Sequence, residues 1–481
     1  MATTTLIETI STRKTPRLSI PQTVRGRYRT IKTIVALALL TFYFAAPWVR
    51  WDRGAHLPDQ AILFDLPGRR LFIFGLEFWP QDLPLAVGAL ILGAFGLFGA
   101  TTLAGRVWCG FTCPQTVWTD LFFTVERFCE RVLGKGTLAS NIAKPIAQIA
   151  IAVLTAFGFA AFFNDALHFP YALVTGTAPL GAYIAIGVLT LTTWVFAAYA
   201  KERVCLHMCP WPRFQAALLD KESLVVTYQQ WRGEPRGKKR VPLREDLLDL
   251  TALARQASTF DGNRGDCIDC QRCVNVCPTG IDIRDGLQMG CIGCGLCVDA
   301  CDDVMAKIER PAGLIRFDVE GSELHGTFAA PKVRMLRPKV LLYGVLCTIA
   351  LASIVIGALR MQSVLLDVDP QRGQPFVQLS DGSVRNDFSV RLAHRLPELD
   401  RVALHIDGLP GATLRFADSP AASETVEVAV PGNRRISDRL FVTAAPGTAP
   451  SGRTNVSIIV TDASSGAKLG EVETYFWGPG R

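Results

Sequence analysis

Cys267-Ile-Asp-Cys270-Gln-Arg-Cys273-Val-Asn-Val-Cys277-Pro278 and, thirteen residues further on, Cys291-Ile-Gly-Cys294-Gly-Leu-Cys297-Val-Asp-Ala-Cys301 decide how this chain is read. Each half is a C-x2-C-x2-C-x3-C run. That spacing wraps three thiolates around one face of an iron–sulfur cube, and in a tandem pair the fourth cysteine of each run reaches across to the other cube. The pattern predicts one [4Fe–4S] cluster on Cys267, Cys270, Cys273 and Cys301, and a second on Cys277, Cys291, Cys294 and Cys297. Gly293 and Gly295 flank Cys294, where small residues let backbone amides approach the sulfurs. Structural zinc and a disulfide framework are the alternatives. Zinc sites pair two C-x2-4-C units across a longer gap, and disulfides are disfavoured in a reducing compartment. The second run ends Cys301-Asp302-Asp303 where the first ends Cys277-Pro278, a change to the turn and not to the ligand set.

Outward from this stretch, 481 residues allow two or three domains. A hydrophobic content of 49% with a positive mean hydropathy indicates a membrane protein carrying soluble parts. The net charge of +7 is modest and its basic residues crowd the expected membrane boundaries, which argues against nucleic-acid binding. Of fourteen cysteines, eight lie in the tandem run and four form two C-x3-C-P motifs. Cys129 and Cys347 remain, and are read as packing residues. Six histidines, mostly outside apolar segments, do not support a set of b-type haems.

Residues 1–30 form a basic tail with no cleavage site after the apolar run that follows, so the first span is expected to be an uncleaved anchor. The tail is expected to be disordered or to lie on anionic headgroups. Spans are expected over 31–48, 83–103, 142–163, 180–200 and 340–359. They make an all-α transmembrane bundle of five helices, four of them in a domain over 31–219 that also holds both C-x3-C-P motifs. Aromatic-rich residues 50–82 suggest an interfacial hairpin about Pro67-Gly68. The positive-inside rule puts the tail, the 106–141 loop and 201–338 in the cytoplasm, and five spans then put the C-terminus outside. Residues 220–262 read as a basic linker with a helix over 244–257. From this tether an α+β bacterial-type two-[4Fe–4S] ferredoxin domain, 263–320, is expected to hang. After the fifth helix, at 338–359, residues 360–481 alternate apolar and polar, as in Thr425-Val-Glu-Val-Ala-Val and Val472-Glu-Thr-Tyr-Phe, between Gly, Pro and Asp turns. This predicts an immunoglobulin-like β-sandwich without the cysteine pair of antibody domains, suited to docking.

The second span exits through Trp108-Cys109-Gly-Phe-Thr-Cys113-Pro114, and the fourth through Val204-Cys205-Leu-His-Met-Cys209-Pro210-Trp211. A residue before proline leaves helical geometry, and proline suits the first turn of a new helix. Cys113 and Cys209 are therefore expected at helix starts, where the dipole favours a thiolate. Thiolates are soft ligands that favour Cu(I), and zinc or a third iron–sulfur cluster are the other candidates. His207 and Met208 add two further candidate ligands. A single such motif reads best as helix-end packing; its repetition favours a metal or redox site.

Cys109-Gly-Phe-Thr-Cys-Pro-Gln-Thr-Val-Trp-Thr-Asp120, Cys205-x3-Cys-Pro-Trp-Pro-Arg-Phe-Gln215, the tandem run and the cysteine-free β tail together resemble the CcoG/FixG/RdxA family. The likeness covers nearly the whole chain past the first 25 residues. It implies a multi-pass protein of the bacterial inner membrane, with N-terminus and clusters cytoplasmic and the C-terminal domain periplasmic. It also implies an accessory role in assembly of cbb3-type cytochrome c oxidase, with Cu(II) reduction to Cu(I) at Cys109, Cys113, Cys205 and Cys209. Met208 joins these as a metal ligand, while His207 falls on a position that varies in the family. The expected partners are membrane lipid, a cytoplasmic electron donor, copper ions and copper-handling or oxidase-assembly proteins, with self-association also compatible. A quinol-linked polyferredoxin carrier and a non-enzymatic assembly scaffold are the competing readings.

Overall fold

Among the described residues of the computed structural model, five helices are long and apolar enough to cross a membrane: Arg27–Trp48, Pro80–Ala104, Leu138–Ala160, Leu180–Ala200 and Pro338–Leu359. The structure describes residues 20–54, 57–237, 265–319, 334–361, 364–371, 373–394, 399, 401–419, 421–430 and 436–479. Contacts divide the chain into one unit of residues 1–46, 86–162 and 167–354 and another of 47–85, 163–166 and 355–481.

The first unit holds α1 (Arg27–Ala45), most of α2 (Leu83–Ala104), α3 (Pro114–Leu133), α4 (Leu138–Ala160), α5 (Phe169–Thr175), α6 (Leu180–Trp194) and α7 (Trp211–Leu218). α3 is amphipathic and not a span. Its buried Glu126 accepts from Gln148 of α4 (2.8 Å) and pairs with Lys201 (2.8 Å), so a polar lock holds it to its neighbours. Next come β4 (Val225–Tyr228), α8 (Gln230–Gly233), α9 (Arg272–Asn275), α10 (Leu296–Lys307), β5 (Ile315–Asp318) and α11 (Pro338–Leu359), whose last turn passes into the second unit.

Two expectations are corrected here. The first is the tether over 220–262. Residues 225–228 are not linker: β4 pairs antiparallel with β5, Val225 opposite Asp318 and Tyr228 opposite Ile315, and so closes the ferredoxin part. Before that strand, Ser223 donates to the Thr102 carbonyl (2.6 Å) and the Leu224 amide to that of Leu103 (3.1 Å). The cysteine-bearing part is thus packed on the end of α2 through the Ser223 hydroxyl and the Leu224 amide, not hung from it. The helix expected over 244–257 lies outside the described residues.

The second correction concerns the tail, of which 1–19 lie outside the described residues. Residues 20–30 are ordered against the ferredoxin part, with the Gln22 amide donating to the Asn275 carbonyl (2.8 Å). The carboxylate of Asp299 in α10 accepts the amides of Tyr28 (3.2 Å) and Arg29 (2.7 Å). A carboxylate at a helix start satisfies otherwise orphaned amides, so α1 begins at Arg27 because α10 caps it.

In the second unit β1 (Ile62–Asp65), β2 (Arg70–Ile73) and β3 (Leu76–Phe78) form the expected hairpin with one strand more. The C-terminal strands are β6 (Val364–Pro370), β7 (Val377–Gln378), β8 (Val384–His394), β9 (Arg401–Asp407), β10 (Thr413–Phe416), β11 (Thr425–Ala429), β12 (Ile436–Ala444), β13 (Arg453–Asp462) and β14 (Lys468–Trp477). They make two antiparallel sheets, ordered β10-β12-β8-β6 with β7 on β8, and β11-β9-β13-β14. Phe388, Leu414 and Leu440 from one sheet meet Leu404, Ile458 and Phe476 from the other, all fully buried. At about 1.5–3 kcal/mol per buried side chain of this size, packing replaces the missing disulfide.

Candidate functional site

The ferredoxin part brings its eight cysteines onto two cavities. Cys277, Cys291, Cys294 and Cys297 line one of about 340 Å³, walled by Val226, Ile281, Ile283 and Ile292. Cys267, Cys270 and Cys301 line another of about 350 Å³, walled by Ile268, Leu314 and Ile315. Cys273 lies on both. Cys277 thus shares a cavity with three cysteines of the second run, and Cys301 shares one with three of the first. Gly295 (φ 72°) and Gln271 (φ 55°) hold left-handed turns that start α10 and α9 between cysteines. Where Pro278 turns the chain out after Cys277, Asp302 and Asp303 let α10 run on to Lys307. Asp302 accepts the Gly313 amide (2.8 Å), and Asp303 pairs with Lys307 (2.8 Å).

Burial pushes the thiols of Cys273 and Cys291 up to about 12 and raises those of Cys294, Cys297 and Cys301. Bare thiolates are penalised in such apolar cavities, and a bound metal centre removes that penalty by taking up their charge. This donor set fits an iron–sulfur cluster in each cavity.

The two C-x3-C-P motifs share one shape. Trp108–Thr112 and Val204–Met208 are each a single π turn, closed by the Cys113 amide on the Trp108 carbonyl (2.9 Å) and the Cys209 amide on the Val204 carbonyl (2.8 Å). Cys113 then caps α3 ahead of Pro114. Cys209 stands one place before Pro210, which caps α7. Such wide turns recur at functional sites. They bring the four thiols within electrostatic reach of one another. Burial first, then the neighbouring Cys113, pushes Cys109 up to about 12, and the same two causes push Cys205 up to about 11. Cys109 is buried, Cys113 and Cys205 half-buried, and Cys209 exposed beside the exposed His207 and Met208. Among the described residues no three His, Cys, Asp or Glu side chains converge on a single ion as they stand.

Three residues that the motif reading did not single out hold this arrangement together. The fully buried Gln215 of α7 accepts from the Cys109 thiol (3.1 Å), so the second motif's helix orients the first motif's cysteine. Gly110 lies against the cysteine loop of the ferredoxin part. A Cβ there would meet the carbonyl oxygens of Ile292 and Gly293 at 2.9 Å and the Cα of Cys294 at 3.0 Å. Arg106 donates to the carbonyls of Met289, Cys291 (2.9 Å) and Pro212 (3.0 Å). Gln215 and Gly110 stand inside the quoted motifs, which was a signal. Arg106 looked only like one more positive residue at a membrane boundary.

Apolar helices of spanning length joined to a double cysteine cradle are the architecture of a membrane iron–sulfur protein. Residues 200–320 match the 4Fe-4S dicluster domain, 86–135 a 4Fe-4S binding domain, and 354–479 the Ig-like fold at the C-terminus of FixG. The chain is 41% identical over 490 residues to nitrogen fixation protein FixG of Rhizobium meliloti, covering 93% of this chain and 90% of that one. It is 41% identical to protein RdxA of Cereibacter sphaeroides, covering 96% and 98%, and 40% identical to protein RdxB of the same organism, covering 96% of each. The chain belongs to the FixG/RdxA family.

Proposed function

We propose that this protein reduces Cu(II) to Cu(I) at Cys109, Cys113, Cys205 and Cys209, supplying copper for assembly of a cbb3-type cytochrome c oxidase. The observation that carries the reading is the gathering of two repeated π-turn cysteine pairs, the first of which sets Gly110 directly against the Ile292–Cys294 loop. Cys267, Cys270, Cys273 and Cys301 would hold one [4Fe–4S] cluster, and Cys277, Cys291, Cys294 and Cys297 the other. Bound there, the clusters supply one-electron storage. Cu(II), the substrate, takes up one electron that originates from a cytoplasmic donor. The soft thiolates then hold Cu(I) in preference to Cu(II), and the Met208 thioether is a further soft donor. Gln215 holds the Cys109 thiol toward its partners. The exposed Cys209 end is the side through which the ion enters, and it must close for the sulfurs to converge on one copper.

Anaerobically purified, dithionite-reduced protein should reduce Cu(II) stoichiometrically and retain Cu(I). No reduction sinks the reading and leaves a non-enzymatic scaffold; reduction only with added quinol favours the quinol-linked carrier. The N-terminus and clusters are proposed to be cytoplasmic and the β-sandwich periplasmic, in a bacterial inner membrane. A reporter fused after Arg481 should then be active only outside the cytoplasm, and cytoplasmic activity inverts the orientation. A third iron–sulfur cluster on the same four cysteines is the second reading, favoured by the match of 86–135 to a 4Fe-4S binding domain. Iron analysis separates them, at about eight atoms per chain for two clusters against about twelve for three.

A further inference from the structure

The surroundings of the two cysteine tetrads differ in charge. Beside Cys291 and Cys294 stand two buried cations. Arg106 is 8% exposed, spends its donors on backbone carbonyls, and among the described residues pairs with no carboxylate; the titratable groups that act on it are Cys291 and Cys109. Lys32 of α1 is 2% exposed and acts on Cys294, with its Nζ 4.0 Å from Asp120. That aspartate is already held by Arg29 at 2.9 Å. Among the described residues Asp120 pairs with Arg29 and Lys32 and Asp299 caps α1, while Lys201 and Glu202 add one charge of each sign to the cavity that Lys32 lines. Around the other tetrad the balance reverses. Arg284 is pinned by Asp282 (2.6 Å) and Asp269 (2.5 Å), and Arg232 and Arg310 both go to Asp266. Asp302 acts on Cys301 and faces Arg232, and Arg272, which lines this cavity, pairs with Asp303 (3.4 Å), so four arginines face five aspartates. This second tetrad also opens to solvent at the exposed Cys270, whereas the first backs onto Gly110.

Reduction adds one negative charge to a cluster, and an unscreened cation nearby stabilises that state, more so where burial keeps water away. We infer that Arg106 and Lys32 make the cluster on Cys277, Cys291, Cys294 and Cys297 the higher-potential one of the two. An electron entering at the Cys270 face then settles on the side next to Cys109. The inference rests on the cluster assignment above. It assigns Arg106 and Lys32 as positioning residues that act through charge, with no contact to the substrate.

The test is a redox titration of the full-length protein followed by electron paramagnetic resonance, with Cys270→Ser identifying the signal of the solvent-side cluster. In the wild type the Cys291-side cluster should reduce first. In Arg106→Gln its reduced-to-oxidised ratio at fixed ambient potential should fall by about tenfold, equivalent to 59 mV for one electron. The other cluster should move far less. Lys32→Gln should shift the same cluster the same way, and Arg106→Lys, which keeps the charge, should stay near the wild type. Should Arg106→Gln fail to retain its iron, Lys32→Gln and Arg106→Lys decide. A reversed or equal order in the wild type overturns the inference. So does an unmoved potential in the Gln variants, or an Arg106→Lys shift as large as that of Arg106→Gln, which points to lost hydrogen bonds and not charge. The titration needs no copper: its failure leaves the Cu(II) reductase reading standing, and absent Cu(II) reduction beside the expected titration strikes that reading alone. Fewer than two clusters in the wild type strikes the assignment beneath both.

Discussion

The tandem run and the C-x3-C-P pairs use the same side chain in opposite settings. Most cysteines of the run are sunk in cavities walled by Ile, Val, Leu and Met, with only Cys270 exposed. The membrane-face pairs grade from the buried Cys109 to the exposed Cys209, with polar neighbours in Gln215 and His207. Thiols sunk in apolar walls suit a resident group, because a bound centre there is shielded from most of the solvent. A set with one open end suits a cargo that must arrive and leave. The difference teaches that cysteine number alone does not define a site; the walls do.

The strongest way to break this contrast is Cys109→Ala/Cys113→Ala. Iron and sulfide content should be unchanged, while Cu(I) retention falls by more than about 100-fold, beyond the ~10–100-fold that loss of an outer partner costs. The Cys205→Ala/Cys209→Ala pair should match it, and all four changes together should add little because neighbours in one site are not additive. Additive losses in copper stoichiometry would mean two separate sites. Cys301→Ser tests the closed half: iron should drop to about half, confined to the Cys267, Cys270 and Cys273 side. Loss confined to the Cys291 side instead would contradict the crossed assignment.

A gentler probe is Gln215→Leu, which removes the acceptor for the Cys109 thiol and spares the clusters. Cu(I) affinity should fall by about 10-fold with iron intact, and an unchanged affinity would make Gln215 a packing residue only. The smallest effect is in pH. Cys109 and Cys205 are raised to about 12 and about 11, so both are neutral thiols near pH 7. Binding Cu(I) must displace their protons, hence retention should strengthen as pH rises from 6 to 9, by up to about tenfold per unit for each proton released. A flat profile would mean that neither thiol binds copper.

Much of this molecule is written locally. The C-x2-C-x2-C-x3-C spacing, the five apolar stretches and the alternation from Phe376 onward each depend on neighbours a few residues away, and they were legible for that reason. Two strands of the β-sandwich escaped. β6, Val364-Leu-Leu-Asp-Val-Asp-Pro370, directly follows a span and alternates only in part, and β10 has just four residues, Thr413–Phe416. The π turns escaped as well, since Cys-x3-Cys-Pro specifies that a helix breaks but not how its last turn widens.

The sequence by itself marked the cysteine spacing of an iron–sulfur protein, the apolar stretches long enough to span a bilayer and the β-sandwich after the last of them. Only the tertiary structure decided that β4 closes the ferredoxin part, that Asp299 caps α1, and that Gly110 meets the Ile292–Cys294 loop. It also decided that Arg106 reaches from the end of α2 to the carbonyls of Cys291 and Pro212. Those contacts join residues from 87 positions apart, in Tyr228 and Ile315, to 270, in Arg29 and Asp299. A buried arginine or a glycine in close approach leaves no periodicity behind, because its reason for being there is a backbone carbonyl supplied by another part of the chain.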